Sequence, residues 1–437
     1  MIKGDKILGK GVHGCAIYGK PLKCENGYKI NDKKLIKLAI KKDDFLDEIN
    51  NTLLINFIDK NDTSIKIEEA CIVDISKLTD EDDIKKISAC KLKFTPDKED
   101  KGSSKRDRDL IIDNKLYQII YNKKDIGIDL NKLILTNKIS IEKILAMSLR
   151  LYESLYLYSK YEISFMDIKP DNIIYLKNKD KLKFIDYGLI SNFKNLLFKT
   201  EFLKYDYPYY SPELKLIYCI NNNKSFEYFL AIFLENFKFK DVIILSDTLF
   251  KIYPTFEKDL EDMYNYYMSI KKKNPSYDAG YFFSDEHKSK IALYSLSILL
   301  LEIICKYDNQ KFKIKDMAFV KNFIKDIILP SISFNIDDRI TIKDTIYRFK
   351  LLKSKNSEIN KIIKDEKLLD NISLVKNIHK SKSLESPLLY EKKLLKNIDN
   401  CNKTKPYYLL MAKKYNIKNR HKMNKKDLCN TLKNIKV

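Results

Sequence analysis

The first residues that suggest chemistry stand near the start of the chain, where residues 9–14 read GKGVHG. In a dinucleotide-binding fold a G-x-G-x-x-G pattern follows a strand and opens a helix. Here residues 15–19 have the alternation of a second strand instead, and the next strand pattern, residues 35–38, carries Lys37. A glycine-rich hairpin followed by a lysine-bearing strand suits a loop that covers nucleotide phosphates, and an ordinary glycine turn is the alternative.

Two further segments carry acidic, amide and lysine side chains at fixed spacings. Residues 163–174 read ISFMDIKPDNII, and residues 184–188 read FIDYG. Together with the upstream glycines and with SPE at 211–213, they resemble the D-x-K-P-x-N, D-F-G and A-P-E motifs of the eukaryotic-type Ser/Thr protein kinase family. Tyr187 replaces the Phe of D-F-G. The order and spacing of the motifs make the resemblance specific, and it covers residues 1–352.

The resemblance implies phosphoryl transfer from ATP with Mg²⁺, in which the protein must position and neutralise a highly charged phosphate chain. Asp186 and Asn172 would give oxygen ligands to Mg²⁺. Asp167 would orient the attacking hydroxyl or accept its proton, and Lys169 would reach the γ-phosphate. The other nucleotide contacts would come from the glycine-rich loop and the adjacent strands, at Gly9, Lys10, Gly11, Gly14, Ala16 and Lys37.

Lys37 needs an anionic partner on the next helix to hold its geometry beside phosphates. We choose Glu48, and its neighbour Asp47 stays open as the alternative. The face of that helix toward the core would then consist of Ile49, Leu53 and Phe57.

Two other regions resemble structural parts of the family. Residues 117–129 are similar to the last strand of the small lobe and the hinge, so the adenine base would bond to the backbone between Tyr121 and Lys123. Glu213 and Arg339 resemble a pair that ties the activation segment to the large lobe. A bidentate arginine–carboxylate pair suits such a buried contact, with a surface arginine as the alternative.

A few positions depart from the family pattern. Phe165 and Met166 replace the His-Arg pair before the catalytic Asp, so we expect activity without phosphorylation of the activation loop. Ala16 replaces the valine over the adenine, and Asp206 stands at the usual Thr of the substrate-docking loop. These changes leave open a pseudokinase, a scaffold that binds nucleotide or partner proteins without turnover. Every metal-binding, base and phosphate-binding residue type is nevertheless present, which favours an active enzyme.

The composition limits the class of protein. The chain has 437 residues, 44% of them hydrophobic, which is enough for packed cores. Its 8 cysteines form no C-x-x-C pair and it has 4 histidines, which argues against a disulfide scaffold or zinc site and favours a reducing compartment. The longest apolar stretch, 291–305, is too short and too charged for a membrane span and predicts a buried helix. We find no signal peptide.

Short strands precede longer helices along the chain, which predicts an α+β protein, and the resemblance implies a bilobal protein-kinase-like fold. A small β-rich lobe would span 1–121, and the hinge and a large helical lobe 122–352. The large lobe would contain an insertion, 214–290, with helices at 226–239 and 259–267. Such insertions, with the abundance of Lys, Asn and Ile, resemble protein kinases of large nucleocytoplasmic DNA viruses. The localisation would then be the viral factory in the host cytoplasm, or the virion, and not the secreted fraction.

Most of the excess positive charge lies at the end of the chain. Residues 353–437 hold 22 Lys and Arg against 8 Asp and Glu, a net charge of +14 out of +22 for the whole chain. We expect a basic linker over 353–404 and a helical module over 405–437, which weakly resembles SAP-like DNA-binding modules. Nucleic acid or another polyanion is the candidate partner, with a capping or partner-docking helical pair as the alternative. The oligomeric state stays open.

The sequence therefore predicts an ATP-dependent protein kinase that acts on Ser/Thr hydroxyls of viral or host protein substrates. Lys169-Pro170 after the catalytic Asp favours Ser/Thr over Tyr, by the same resemblance. The alternatives are the pseudokinase, a small-molecule phosphotransferase of related fold, and a protein that tethers DNA through its basic tail.

The DNA prediction has a quantitative signature. The basic side chains of the module would neutralise about five phosphates, so the logarithm of the binding constant should fall against the logarithm of salt concentration with a slope of about −4 to −5. Anisotropy of a labelled duplex measures this slope in the full chain and in a chain that ends before residue 405. The truncated chain should lose the steep dependence; a flat response of the full chain would favour partner docking. The basic residues concerned are Lys418, Arg420, Lys422, Lys425 and Lys426.

Overall fold

The structure is a computed structural model, and the chain divides into two units, Met1–Ile362 and Ile363–Val437. The described residues of the first unit form a mixed α+β arrangement, with a small β-sheet region followed by a helical part. The described residues are 6–11, 14–27, 30–90, 93–94, 110–111, 114–136, 138–192, 209–235, 253, 255–310, 312–355 and 427. Three predictions fall outside them: Asp206, the linker beyond Lys355, and the module at 405–437 apart from Asp427.

Seven strands belong to the β-sheet region. They are β1 (Lys6–Gly11), β2 (Gly14–Gly19), β3 (Lys34–Ala39), β4 (Ile67–Asp74), β5 (Lys93–Phe94), β6 (Leu110–Ile111) and β7 (Lys115–Tyr121). Five of them form an antiparallel sheet in the order β1-β2-β3-β7-β4, and β5 pairs with β6 in parallel. The glycine-rich hairpin and the lysine-bearing strand predicted from the sequence are therefore neighbours in one sheet.

Helix α1 (Lys42–Ile58) follows β3 directly and turns Glu48 inward. The prediction that Ile49, Leu53 and Phe57 face the core is wrong, because Leu53 and Phe57 are exposed and Ile49 is only half-buried. Successive residues of a helix point in directions about 100° apart. If Glu48 faces the core, Ile49 and the residues four and eight positions after it therefore point away from the core. The buried residues of α1 are Phe45, Glu48, Thr52, Ile55 and Ile58.

Two disulfides cross the β-sheet region, Cys15–Cys90 and Cys24–Cys71, each with a Cα–Cα distance of 5.8 Å. The argument from composition against disulfides is therefore wrong. The bridged partners are 75 and 47 residues apart in the chain, so no short spacing reveals them. Cys90 ends the second helix, α2 (Glu81–Ala89), and the fold brings it beside β2.

The described helical part begins with a short helix, a long helix and five short strands. Its first elements are β8 (Ile128–Asp129), α3 (Leu130–Leu135), α4 (Ile141–Lys160), β9 (Ile163–Phe165), β10 (Ile173–Leu176), β11 (Lys181–Phe184) and β12 (Ile190–Asn192). The Ser140 hydroxyl caps helix α4 by accepting a hydrogen bond from the Lys143 N–H at 3.3 Å. The strands form two small sheets, ordered β11-β10-β8 and β12-β9, which fix the loops between them.

Seven further helices follow among the described residues. They are α5 (Pro212–Asn221), α6 (Phe226–Glu235), α7 (Phe256–Lys273), α8 (Asp285–Asn309), α9 (Met317–Phe323), α10 (Leu329–Ser331) and α11 (Ile342–Lys355), with a π-helical turn, Ile324–Ile328, between α9 and α10. Helices α6 and α7 confirm the two helices predicted within 214–290. The apolar stretch of α8 is buried from Ile291 to Ile304, as predicted. Within the described part of the chain, no helix is long and apolar enough to cross a membrane.

A fully buried ion pair fixes the start of α5. Arg339 Nη2 lies 2.8 Å from Glu213 Oε1, and Arg339 Nη1 lies 3.2 Å from Oε2. The guanidinium also donates to the Ser333 carbonyl at 2.8 Å and lies 4.9 Å from the ring centroid of Tyr294. The pair expected from the sequence is present, and it joins α5 to α8 and to the segment before α11.

Arg339→Met should destabilise the chain, because it leaves the buried Glu213 carboxylate without its partner. Removing one member of such a pair lowers the free energy of unfolding by about 3–5 kcal/mol. Urea unfolding followed by tyrosine fluorescence measures it, since the chain has 29 Tyr and no Trp. Arg348→Met, at an exposed position of α11, is the control and should change stability by less than about 0.5 kcal/mol. An equally small effect at Arg339 would contradict the prediction.

Candidate active site

One face of the sheet carries a row of small residues that ends at Lys37. Gly9 of β1 lies opposite Ala16 of β2, and Ala16 lies opposite Lys37 of β3. Directly opposed residues of antiparallel strands share a face. A methyl group placed on Gly9 would meet no atom within 4 Å. The row therefore leaves open space over the sheet next to the lysine.

Gly14 lies where the neighbouring strand leaves no room for a side chain. Its φ is +154°, and a Cβ there would lie 2.0 Å from the carbonyl oxygen of Leu38. The close approach of β2 to β3 thus excludes any side chain at this position. Gly11 pairs with Gly14 in the hairpin, and Lys10 pairs with Cys15. Of the predicted loop, Val12 and His13 lie outside the described residues.

Lys37 is the centre of a three-charge cluster. Its Nζ lies 2.6 Å from Glu48 Oε2 and 3.1 Å from Asp186 Oδ1. Asp47, the alternative partner, is exposed. Burial opposes the charge on Lys37, but the carboxylates of Asp186 and Glu48 outweigh it and raise the pKa of the ammonium. Lys37 is therefore charged at neutral pH.

Helix α1 also positions the turn that follows Asp186. The Asn51 amide of α1 donates to the Tyr187 carbonyl at 2.8 Å. Asp186 itself has a φ of +62°, in the left-handed region that Asp and Asn tolerate better than most residues. The N–H of Ile185 donates to the Asn172 carbonyl at 2.9 Å. These contacts fix the backbone of Asp186 beside the loop that contains Asn172.

Asp167, Lys169 and Asn172 form a second polar group on that loop. Lys169 Nζ lies 2.9 and 3.1 Å from the two carboxylate oxygens of Asp167. The Asn172 amide nitrogen donates to Asp167 Oδ2 at 2.6 Å and to the Asp167 carbonyl at 2.9 Å. Both bonds use Nδ2 of Asn172, so its Oδ1 is the atom suited to a cation.

The donor set fits a magnesium ion that arrives with its own ligands. Mg²⁺ prefers oxygen and is usually held by one or two carboxylates together with substrate phosphates. Asp186 and Asn172 offer a carboxylate and an amide oxygen. Among the described residues, no group of three or more His, Cys, Asp and Glu could hold a metal ion by itself. These residues therefore fit Mg²⁺ bound together with a polyphosphate.

Apolar contacts replace the His-Arg pair that the sequence lacks. The ring of Phe165 lies 5.0 Å from that of Phe184 and 5.2 Å from that of Tyr187, measured between centroids. Met166 packs against a buried cluster that includes Tyr210 and Leu214. The loop before Asp167 is thus held by packing to the D-Y-G turn on one side and to the start of α5 on the other.

At the predicted hinge, the backbone of Asn122 is hydrogen-bonded within the chain. Asn122, between Tyr121 and Lys123, uses both backbone groups internally: its N–H donates to Lys66 O at 3.0 Å, and its carbonyl accepts from the Asp125 N–H at 2.9 Å. Lys123 starts a 3₁₀ turn. The adenine contact at Tyr121 and Lys123 stays a prediction.

Two contacts near the site escaped the sequence analysis. The Tyr121 hydroxyl donates to Glu48 Oε1 at 2.5 Å. Lys183 of β11 is fully buried and binds Asp62 Oδ1 at 2.7 Å and Asp125 Oδ1 at 2.8 Å. The sequence did contain one signal for the contact of Lys183, because a lysine stands inside the apolar strand pattern before Asp186. Lys183 ties the strand that leads to Asp186 to the turn at 123–125.

A scan against protein-family models and a search of curated proteins each found no match. The likeness to protein kinases therefore rests on the motifs quoted above.

The two glycines should respond differently to a single methyl group. Gly14→Ala should lower the free energy of unfolding by about 1–3 kcal/mol, because its Cβ overlaps the Leu38 carbonyl. Gly9→Ala should change it by less than about 0.5 kcal/mol, since no protein atom opposes the new methyl group. Urea unfolding of both variants gives the comparison. Equal destabilisation would mean that Gly9 serves packing and leaves no open space.

Proposed function

We propose that this chain is an ATP-dependent protein kinase that transfers the γ-phosphoryl group of ATP to Ser/Thr hydroxyls of proteins. The observation that carries the proposal is the contact of Lys37 with both Glu48 and Asp186, next to the loop of Asp167 and Asn172. The consecutive elements β3 and α1 supply an ammonium and an orienting carboxylate, and the turn after β11, far along the chain, brings a second carboxylate to the same point. Phosphoryl transfer needs that combination, because catalysis consists mainly of positioning and charge neutralisation.

Each residue has a task in this reaction. Lys37, held by Glu48, offers its charge to the α- and β-phosphates. Bound Mg²⁺ would supply further charge neutralisation, and Asp186 and Asn172 are the residues that would hold it. Asp167 orients the protein hydroxyl and takes its proton as the oxygen–phosphorus bond forms. The products are ADP and a phosphoester on the substrate protein.

The polar network around Asp167 supports its role. Lys169 and Asn172 both contact its carboxylate, so the side chain is held in one orientation in a buried place. Lys169 is about one-third exposed, and it would contact the γ-phosphate of a bound nucleotide. The backbone of the glycine-rich hairpin and the small side chain of Ala16 then leave room for the nucleotide above Lys37.

The proposal also covers the origin of the kinase, its location and its substrates. Support for a kinase of a large DNA virus comes from the composition and from the insertion at 214–290, which contains α6 and α7. The host cytoplasm or the virion would be its location, and viral or host proteins its substrates.

Transfer of labelled phosphate from Mg-ATP to acidic and basic protein substrates tests the proposal. Asp186→Asn should abolish transfer, and Asp167→Asn should reduce it by about 10²–10⁴-fold, since general base catalysis contributes that much. Asp262→Asn, at an exposed position of α7, is the matched control and should leave the rate unchanged. Calorimetry of Mg-ATP binding runs beside the assay.

The outcomes separate the alternatives. Transfer that survives Asp186→Asn would remove this residue from the reaction and contradict the proposed site. Binding of Mg-ATP without transfer to any substrate, the chain itself included, would make the protein a pseudokinase. Binding that is absent altogether would refute the nucleotide site.

A further inference from the structure

The Cys15–Cys90 disulfide lies on the back of β2, the strand that covers the proposed nucleotide site, and the Cys24–Cys71 disulfide is attached to β4 at the far edge of the same sheet. Side chains alternate along β2, so Cys15 and Ile17 point into the buried core while Ala16 shares the opposite face with Lys37. Cys15 bonds to Cys90 at the end of α2. The strand whose front faces Lys37 is thus attached from behind by a covalent bond.

Both bridges also enclose the segment that supplies the lysine and its partner. Residues 16–89 lie between Cys15 and Cys90, and residues 25–70 lie between Cys24 and Cys71. Lys37 and Glu48 lie within both loops. Closing the bridges therefore restricts the part of the chain that must be ordered for the three-charge cluster to form.

Hydrogen bonds join the segment after β2 to the rest of the sheet region independently of the disulfides. The buried Gln118 side chain accepts from the Leu22 N–H at 2.8 Å and donates to the Leu22 carbonyl at 3.1 Å. The Glu25 N–H donates to the Ile72 carbonyl at 2.7 Å, and Lys86 Nζ donates to the Lys20 carbonyl at 3.1 Å. These bonds stay when a disulfide is reduced, so reduction should loosen this region without unfolding it.

The four sulfur atoms differ in access. Cys15, Cys24 and Cys90 are buried, at 1%, 4% and 5% exposure, whereas Cys71 is half-buried. The Gln118 amide lies 3.5 Å from the Cys71 sulfur and donates to it. Exchange with an outside thiol or disulfide should therefore start at Cys71. The isolated thiol of Cys219 is no competitor, because burial raises its pKa to about 12.

We propose that Cys24–Cys71 and Cys15–Cys90 are regulatory oxidation sites, closed by a small disulfide of the glutathione type, and that the closed form binds Mg-ATP more tightly. The effect on Mg-ATP rests on the proposed function; the bridges themselves do not.

The chemistry is thiol–disulfide exchange. The Cys71 thiolate attacks glutathione disulfide, a bond forms between the two sulfurs, and one glutathione leaves as its thiolate. The Cys24 thiolate then attacks the Cys71 sulfur and releases the second glutathione. The chain loses two electrons and two protons, and glutathione disulfide becomes two glutathione thiols. Cys15 and Cys90 react by the same two steps.

The test equilibrates the full chain at a series of ratios of glutathione to glutathione disulfide. After alkylation and digestion without reductant, mass spectrometry should find peptides joined at Cys15–Cys90 and at Cys24–Cys71. Calorimetry on the same samples should show Mg-ATP binding at least about tenfold weaker after reduction, which corresponds to about 1.4 kcal/mol, because only a fraction of the reduced molecules then has an ordered site.

Two variants sharpen the result. The double variant Cys24→Ser, Cys71→Ser should bind Mg-ATP more weakly than the oxidised parent under oxidising conditions and should respond less to the glutathione ratio. Cys305→Ser, outside both bridges, should behave as the parent does.

Absence of the joined peptides at every ratio, or equal affinity of the oxidised and reduced parent, would overturn the inference while the proposed function stands. If Mg-ATP binds in neither state, the proposed function fails, and the effect on affinity fails with it. The peptide map decides the bridges in either case.

Discussion

The arrangement of the first unit depends on one partly buried ammonium group. Lys37 reaches Glu48 of α1 and Asp186 after β11, both within 3.1 Å. A buried charge is tolerated only where its partners are well placed, so the three elements constrain one another. The cluster forms only when three side chains point to one place. This requires the rotation of α1 that turns Glu48 inward, the register of β3 that presents Lys37, and the left-handed turn that directs Asp186. Asn51, one turn after Glu48, strengthens that agreement through its bond to Tyr187.

Residue type and local pattern were enough to predict the parts of this cluster. A lysine inside an apolar strand, a carboxylate on the next helix and an Asp at the end of a later strand are each visible in the sequence. The phase of α1 was not predictable from apolar spacing, because Phe45, Ile49, Leu53 and Phe57 offer a plausible stripe of their own. The ion pair, and not the stripe, selects the buried face, and it turns Leu53 toward solvent.

The other contacts that the sequence did not predict join residues that are far apart in the chain. The partners of Cys15 and Cys24 depend on which strands become neighbours, and spacing within one sequence does not contain that information. Lys183 is one of 82 Lys and Arg residues, and its position in an apolar strand pattern does not identify Asp62 and Asp125 as its partners. Local motifs therefore predict contacts between motif residues, such as Lys37–Glu48 and Glu213–Arg339. They do not predict contacts such as Cys15–Cys90, because these are properties of the assembled fold.

The two sides of the candidate site are held by different kinds of force. Around Asp167 the contacts are the ion pair with Lys169, the hydrogen bond from Asn172 and the packed rings of Phe165 and Tyr187, none of which a reductant breaks. On the side of the sheet, the open face at Gly9 and Ala16 lies beside the charged Lys37, and the Cys15–Cys90 disulfide is attached to the opposite face of β2. Among the described residues, the disulfides lie only on this second side. The covering strands, and not the loop of Asp167, are accordingly the element that the proposed oxidation would order.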